Sequence, residues 1–487
     1  MPTRRLTVPL LAVAALATTA LAPTAAGAQD APGGGAEAHP RAASAWTRVS
    51  TSTVSSLAEI SALRSPDGVL HAFWKQDAGA QSALQHAALT DEGRPVSYAT
   101  AAVLDSMAEV YPVNVTPTGG LRLTYAGLGA GPAGDGRAVD ALSADGGASW
   151  ATQPRALAKN STAYTGYGIG SAQLPSGVPV TAVAIYGDTS YRVGSIDTTD
   201  PNLRNTATGD AVTTMPECCS YHQSVVTSGD TAWMAWYQNG TADSANGVFA
   251  QQVYPTAGPV MKAPGSSLDG SSSDHGQSMA LVARPGGGVV LAYARGYLDP
   301  TVGLWDLTTG ATANLRGSVE ADRISLSATP SGRLWVGWTT QYGETVNLVR
   351  TAAKGFATGG VTSERLAFGS SLRAMALSGD EASAVVLLND SDTEAVWSRS
   401  FGPSFSLAAS RKKVVAGAGT KLTFKATDAG DGLKGVTVKA AGKACTTSGK
   451  GTCSITVTPG KGRKLAVRAT RKGYQQAALT LKVVRRR

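Results

Sequence analysis

The chain is poor in the groups that usually hold metals or carry redox chemistry, with five histidines and four cysteines among 487 residues. No Cys/His cluster stands at zinc-ligand spacing, so no metal and no cofactor is expected. The extended apolar stretch Leu6–Leu21 holds about 16 residues, short of the roughly 20 that a membrane-spanning helix needs. A transmembrane segment is therefore not expected. No later stretch reads as a long amphipathic helix, which excludes helical bundles. Acidic residues nearly vanish at one end: from Gly402 onward only Asp428 and Asp431 face 19 Lys or Arg, a net of +17. The preceding part holds the remaining 24 basic and 32 acidic residues, a net of −8 within the overall +9. Two modules of opposite charge meet near Gly402.

The chain starts with Arg4 and Arg5, the apolar run, and Ala26-Gly27-Ala28, the small-x-small pattern of a signal-peptidase site. Residues 1–28 read as a signal peptide and 29–44, rich in Ala, Gly and Pro, as a flexible leader. The two arginines leave the general and the twin-arginine export routes both open. Secretion is expected, with an extracellular or cell-wall-associated protein as the product. Beyond the leader the chain is too long for one hydrophobic core.

With 57 glycines and short apolar runs between Gly, Pro, Ser and Asp, this part reads as many short strands. One unit recurs: an apolar strand, a Pro/Ser/Gly turn, and a strand rich in aromatic and β-branched residues. The turns end at Gly68, Gly119, Gly177, Gly229, Gly287, Gly332 and Gly379, spaced 51, 58, 52, 58, 45 and 47 residues apart. A period near 50 with four strands per unit is propeller spacing. The expected fold is all-β: a β-propeller of about seven four-stranded blades over 45–401, six being the alternative count, followed by a small sandwich over 402–487. The last unit runs out after its third strand, Ala395–Phe401. The strand-like segment Ala45–Ser50 supplies the missing outer strand and closes the ring.

Ser143-Ala144-Asp145-Gly146-Gly147-Ala148-Ser149-Trp150 matches the pattern Ser-x-Asp-x-Gly-x-Ser/Thr-Trp. On this segment the chain resembles the sialidase-like propellers built from Asp-box (BNR) repeats. Ser143, Asp145, Gly147 and Trp150 are then structural: the carboxylate accepts hydrogen bonds from the turn, the glycines permit the turn, and the indole pins the hairpin. The residues just before each inner strand face the channel of such a fold. They give the candidate ligand-binding set Glu59, Glu109, Tyr111, Tyr167, Tyr221, His222, His275, Asp322, Arg323 and Arg373. Phenols cover the apolar faces of sugar rings, while carboxylates and arginines bond hydroxyls or acidic substituents.

The resemblance to sialidases implies three arginines on a substrate carboxylate, a Tyr–Glu nucleophile and an Asp acid/base. Arg323 and Arg373 match two of the arginines. The Arg-Ile-Pro segment that opens those catalytic domains is absent, and no third arginine or Tyr–Glu pair is assigned, so catalytic residues stay unknown. Cys218 and Cys219 resemble a Cys-Cys segment that precedes inner strands in some bacterial relatives, which implies a vicinal disulfide. Adjacent Cα atoms lie about 3.8 Å apart, so such a bridge is strained, and two free thiols are the alternative.

After Gly402 alternating strands, Lys421–Ala426, Gly435–Ala440, Cys453–Val457, Lys464–Thr470 and Ala478–Val484, resemble the immunoglobulin-like accessory modules of secreted bacterial proteins. Cys445 and Cys453 flank a turn, so their disulfide is expected to staple a hairpin. Three functions stand as expectations: recognition of an extracellular or cell-wall glycan with the basic module as tether, a divergent exo-sialidase or other glycoside hydrolase, or a protein-binding scaffold. The expected partner is a glycan or an anionic wall polymer, met by a monomer. Export argues against nucleic acid as the main partner.

Overall fold

A computed structural model describes residues 45–54, 59–78, 81–104, 112–127, 137–155, 168–185, 188–193, 220–239, 246–266, 278–296, 299–340, 344–366, 368 and 371–485. All regular structure among these residues is β-strand. The first seven sheets are antiparallel and succeed one another along the chain, each built around an inner strand. Those inner strands are Ile60–Arg64, Val113–Val115, Ile169–Gln173, Ser220–Ser228, Met279–Ala283, Ala321–Ala328 and Leu372–Gly379, in blades 1 to 7. Each touches the next, and the seventh touches the first. The chain is a seven-bladed β-propeller. Blade 3 shows three strands among the described residues, the other blades four.

The ring closes through the N-terminal segment. Thr47–Arg48 pairs with Ala395–Phe401 of blade 7, Thr47 opposite Ser398 and Arg48 opposite Trp397. Beyond that strand, Val49 N–H donates to Val396 O at 2.7 Å and Val54 N–H to Glu394 O at 3.0 Å. Trp46 meets Phe368 and Phe401 edge-on at 5.3 and 6.1 Å. The missing outer strand is thus supplied as the repeat pattern requires.

The core sits between blades rather than within them. Val49, Leu70 and Trp74 of the closing segment and blade 1 cluster with Val385 and Leu387 of blade 7. Equivalent clusters join blades 5 and 6 through Val290, Leu304 and Trp338, and blades 6 and 7 through Trp335, Leu348 and Val386. A four-stranded blade has two apolar faces and satisfies neither alone, so the ring folds as a unit. One turn departs from the repeat. Gly379 ends its strand, and an added Cβ there would lie 2.3 Å from the Trp335 ring, so glycine is needed for close packing. Asp380 makes the turn instead, accepting from Ala382 N–H at 2.7 Å and Ser383 N–H at 2.8 Å.

At the hairpin of blade 2, Asp145 accepts from Ser143 Oγ at 2.8 Å and from Ser149 N at 2.9 Å, while Ser143 Oγ accepts from Gly147 N at 2.8 Å. The Ser149 and Ser143 bonds hold the Asp145 carboxyl far below the usual range. Trp150 Nε1 donates to Gly147 O at 3.0 Å. The same carbonyl receives His86 Nδ1 at 3.1 Å, and His86 Nε2 meets His71 Nδ1 at 2.9 Å, both rings buried. A two-histidine chain thereby ties blade 1 to this hairpin.

The C-terminal module is a sandwich of two sheets. One comprises Ser406–Ala409, Thr420–Asp428, Asp431–Gly432 and Thr452–Val457; the other runs Lys413–Val415, Ala477–Val484, Lys464–Thr470, Thr437–Ala440, Lys443–Thr446. Phe424, Leu422, Val436, Val438 and Val467 fill the space between. The Cys445–Cys453 disulfide corrects the hairpin expectation. Cys445 lies on a strand paired with Thr437–Ala440 and Cys453 on one paired with Thr420–Asp428, so the bridge ties the two sheets together. Strand Lys443–Thr446 is too short and too polar to announce itself in the sequence.

The module is docked on blade 6. Arg350 bonds the Asp428 carboxylate and donates to Tyr474 OH at 2.9 Å, with Tyr474 OH donating to Asp428 at 3.0 Å. Arg350 and Asp428 are each 3% exposed. Arg333 adds a 2.6 Å pair with Asp431. Both acidic residues of the basic module are thus turned toward the propeller.

Candidate functional site

A cavity of about 190 Å³ lies where the inner strands begin, and all seven blades line it. Glu59 and Ser61 come from blade 1, Pro112 from blade 2, Gly170 from blade 3 and His222 to Val225 from blade 4. Ser278, Arg323 and Arg373 represent blades 5, 6 and 7. Residues drawn from every blade at matching places put the cavity at the central channel.

Three inner strands carry an extra residue at this place. In blade 4 Tyr221 pairs with Tyr237 but Ser224 with Ala235. In blade 6 Ala321 pairs with Thr340 but Ile324 with Trp338. In blade 7 Leu372 pairs with Asp390 but Ala374 with Asn389. The bulged residues are His222-Gln223, Asp322-Arg323 and Arg373. A bulge breaks the strict alternation of a strand and re-aims a side chain, which is why bulges gather at sites. Here all three deliver a cationic or ionisable side chain to one cavity.

His222 reaches the cavity at the cost of a left-handed backbone, φ 54°, uncommon for a residue with a side chain. Its Nδ1 lies 2.9 Å from Glu59 Oε1, joining blade 4 to the non-adjacent blade 1. Burial works against the Glu59 charge, but the His222 hydrogen bond and the charges of His222 and Arg323 outweigh it and hold the carboxyl below its ordinary range. The two side chains, Glu59 and His222, stay 39% and 29% exposed, within reach of a ligand. Arg323 Nε stands 3.7 Å from Asp322. Arg373 is exposed and has no hydrogen bond or ion pair among the described residues. Gly170 lets blade 4 approach: an added Cβ would lie 2.8 Å from Gln223 O, and one at Gly168 would meet the Gln223 side chain.

Of the predicted set, Glu59, His222, Arg323 and Arg373 are brought together. Asp322 is 5% exposed and is not among the residues lining the cavity, where its ion-pair partner Arg323 stands. Tyr221 is half-buried and packs against the core between blades 4 and 5, its ring 6.1 Å from that of Tyr237. Glu109, Tyr111, Tyr167, His275, Cys218 and Cys219 lie outside the described residues. Gln223, Ser61 and Ser278 line the cavity unannounced. Ser278 Oγ accepts from Ile324 N at 2.6 Å and so fixes the blade 6 bulge; a lone serine gives no sequence signal of that role. Among the described residues no group of three or more His, Cys, Asp or Glu gathers to hold a metal.

No protein-family description and no curated protein matches this chain. Among solved structures, a fungal alcohol oxidase of the AA5 family in complex with copper is similar over 91% of this chain and 99% of its own, at 12% identity and TM-score 0.45. The SapL1 lectin in complex with α-methyl fucoside is similar over 78% and 95%, at 16% identity and TM-score 0.35. TolB from Acinetobacter baumannii is similar over 70% and 63%, at 9% identity and TM-score 0.33. At such scores these likenesses carry no argument, and the architecture rests on the strand pairing.

Proposed function

We propose that the protein is an exported glycan-recognition protein that binds an acidic sugar in the channel cavity and is held at the cell surface by its basic module. In this reading residues 1–28 are a removable signal, 45–401 the propeller and 402–487 an immunoglobulin-like tether. The Cys445–Cys453 disulfide fits an oxidising compartment. The observation that carries the site assignment is the convergence of Arg323 and Arg373, from bulges of neighbouring blades, beside the Glu59–His222 pair. Arginine forks suit a carboxylate or sulfate on a sugar, and the Glu59 carboxylate beside His222 suits its hydroxyls.

Binding is favoured over hydrolysis with Glu59 as general acid, since Glu59 is kept ionised whereas such an acid needs a raised pKa to hold its proton. The test is a glycan array read with the full chain, then incubation of each binder and analysis for released sugar. Retention of acidic glycans without release supports the reading; release of a monosaccharide overturns it in favour of a hydrolase.

A further inference from the structure

The outer face of the five-stranded sheet in the C-terminal module is a cationic platform. Strand register sets Lys413 opposite Lys482 and Lys482 opposite Lys464, three lysines in one row. Two rows further on the same face, Arg468 stands opposite Lys439. All five side chains are exposed. Adjacent strands lie about 4.8 Å apart, so the three-lysine row spans roughly 10 Å; Lys464 and Arg468 stand roughly 13 Å apart along their strand. Between these cations the exposed residues are small: Ala466, Thr480 and Ala478 leave the face flat.

Like charges directly opposite each other destabilise a sheet. Nothing within the module relieves them, because its two acidic residues, Asp428 and Asp431, are held by Arg350 and Arg333 of the propeller. Such a face is complementary to an external polyanion. Its chemistry narrows which one. Four of the five cations are lysines, compact point charges that can meet the spaced single charges of a phosphodiester chain without the planar pairing that a guanidinium fork gives. The module's aromatic residues are Phe405, Phe424 and Tyr474; the first two are in the core and the third is in the propeller contact. The face therefore offers no ring on which a base or a sugar could stack, as single-stranded nucleic acid requires.

We propose that this face docks a linear phosphodiester polymer without bases, a poly(polyol phosphate) of the kind a cell wall would display. The proposal rests on the tether reading and assigns its surface and ligand class. The full chain is compared with a face variant, K413Q/K464Q/K482Q, and with a control of equal charge change, K421Q/K425Q/K450Q, whose exposed lysines lie outside this sheet. The probe is purified poly(glycerol phosphate), titrated from about 20 mM to about 200 mM salt, the range over which phosphate contacts show their salt dependence.

The face variant is expected to bind at least tenfold more weakly at low salt, with a log K against log salt slope shallower by about two, since each phosphate contact contributes about 0.7 to 0.9. The control should lose less than threefold. Removing the like-charge row should also leave the melting temperature unchanged or raise it. Equal loss in both variants overturns the platform while leaving a diffuse tether. No binding by the unmodified chain overturns the tether as well. Equal competition by inorganic phosphate at matched phosphate, or tighter binding of duplex DNA sensitive to the same variant, overturns the assigned polymer.

Discussion

His222 of blade 4 and Glu59 of blade 1 meet at 2.9 Å although their blades are not neighbours. The pair spans the channel, and it depends on the bulge that places His222 out of strand alternation. Replacing Gly170 by Ala should disturb it without touching either partner, because the new methyl would lie 2.8 Å from the Gln223 carbonyl. G170A is expected to weaken glycan binding at least tenfold and to lower stability by about 1–3 kcal/mol, the usual cost of overpacking. Equal binding by G170A would show that the bulge geometry is not required.

Removal of residues through Ser50 takes away Trp46, the Thr47–Arg48 strand and the fully buried Val49. Burial of two large apolar side chains is worth about 4 kcal/mol, and the exposed edge of blade 7 adds to the loss. Calorimetry should show a markedly lower propeller melting temperature. An unchanged transition would contradict non-covalent closure.

Legibility from sequence tracks chemistry. Strands buried on both faces, such as Thr231–Gln238 and Leu334–Thr340, announce themselves as apolar runs at a fixed distance after a turn. The outer-strand donor is legible because blade 7 lacks a fourth strand of its own. Counting to the start of each inner strand finds Glu59, His222, Arg323 and Arg373 in the cavity. The same count does not separate Tyr221, which packs against the core between blades 4 and 5, from its neighbour His222 in the cavity. The bulges at His222, Asp322 and Arg373 are not legible, since an extra residue in a strand changes pairing without changing composition.

The buried His86–His71 chain makes stability pH-dependent. Burial first, and then the neighbouring His71, lower the His86 pKa from 6.5 to about 4. Between those values the unfolded chain binds more protons than the folded one, so stability is lost as pH falls from 6.5 toward 4 and is level below that. The loss attributable to His86 is roughly 3 kcal/mol. Denaturant titrations across this window should show it, and H86Q should flatten the curve; an equally steep curve for H86Q would place the effect elsewhere.

The Cys445–Cys453 bridge joins two sheets across a short loop. Chain entropy for a loop of this length gives about 2.5 kcal/mol. C445A/C453A should unfold at correspondingly lower denaturant in the module's transition, with the propeller's own transition unmoved. A shift in both would mean that the module supports the propeller.

Arg350 is buried between blade 6 and the module, with Asp428 as its counter-charge. R350M strands a buried carboxylate, which costs about 3–5 kcal/mol. Limited proteolysis near Gly402 should become rapid in R350M, and D428N added to it should restore part of the resistance. Unaltered proteolysis of R350M would show that the docking does not depend on this pair.

The most direct test of the account is titration calorimetry of the full chain with an acidic oligosaccharide selected from the array, against R323Q, R373Q and the double variant. Each single variant is predicted to bind at least tenfold more weakly, the double variant not measurably, and the uncharged form of the same sugar poorly to all. Undiminished affinity in R323Q/R373Q would contradict the assignment of the channel cavity as the glycan site.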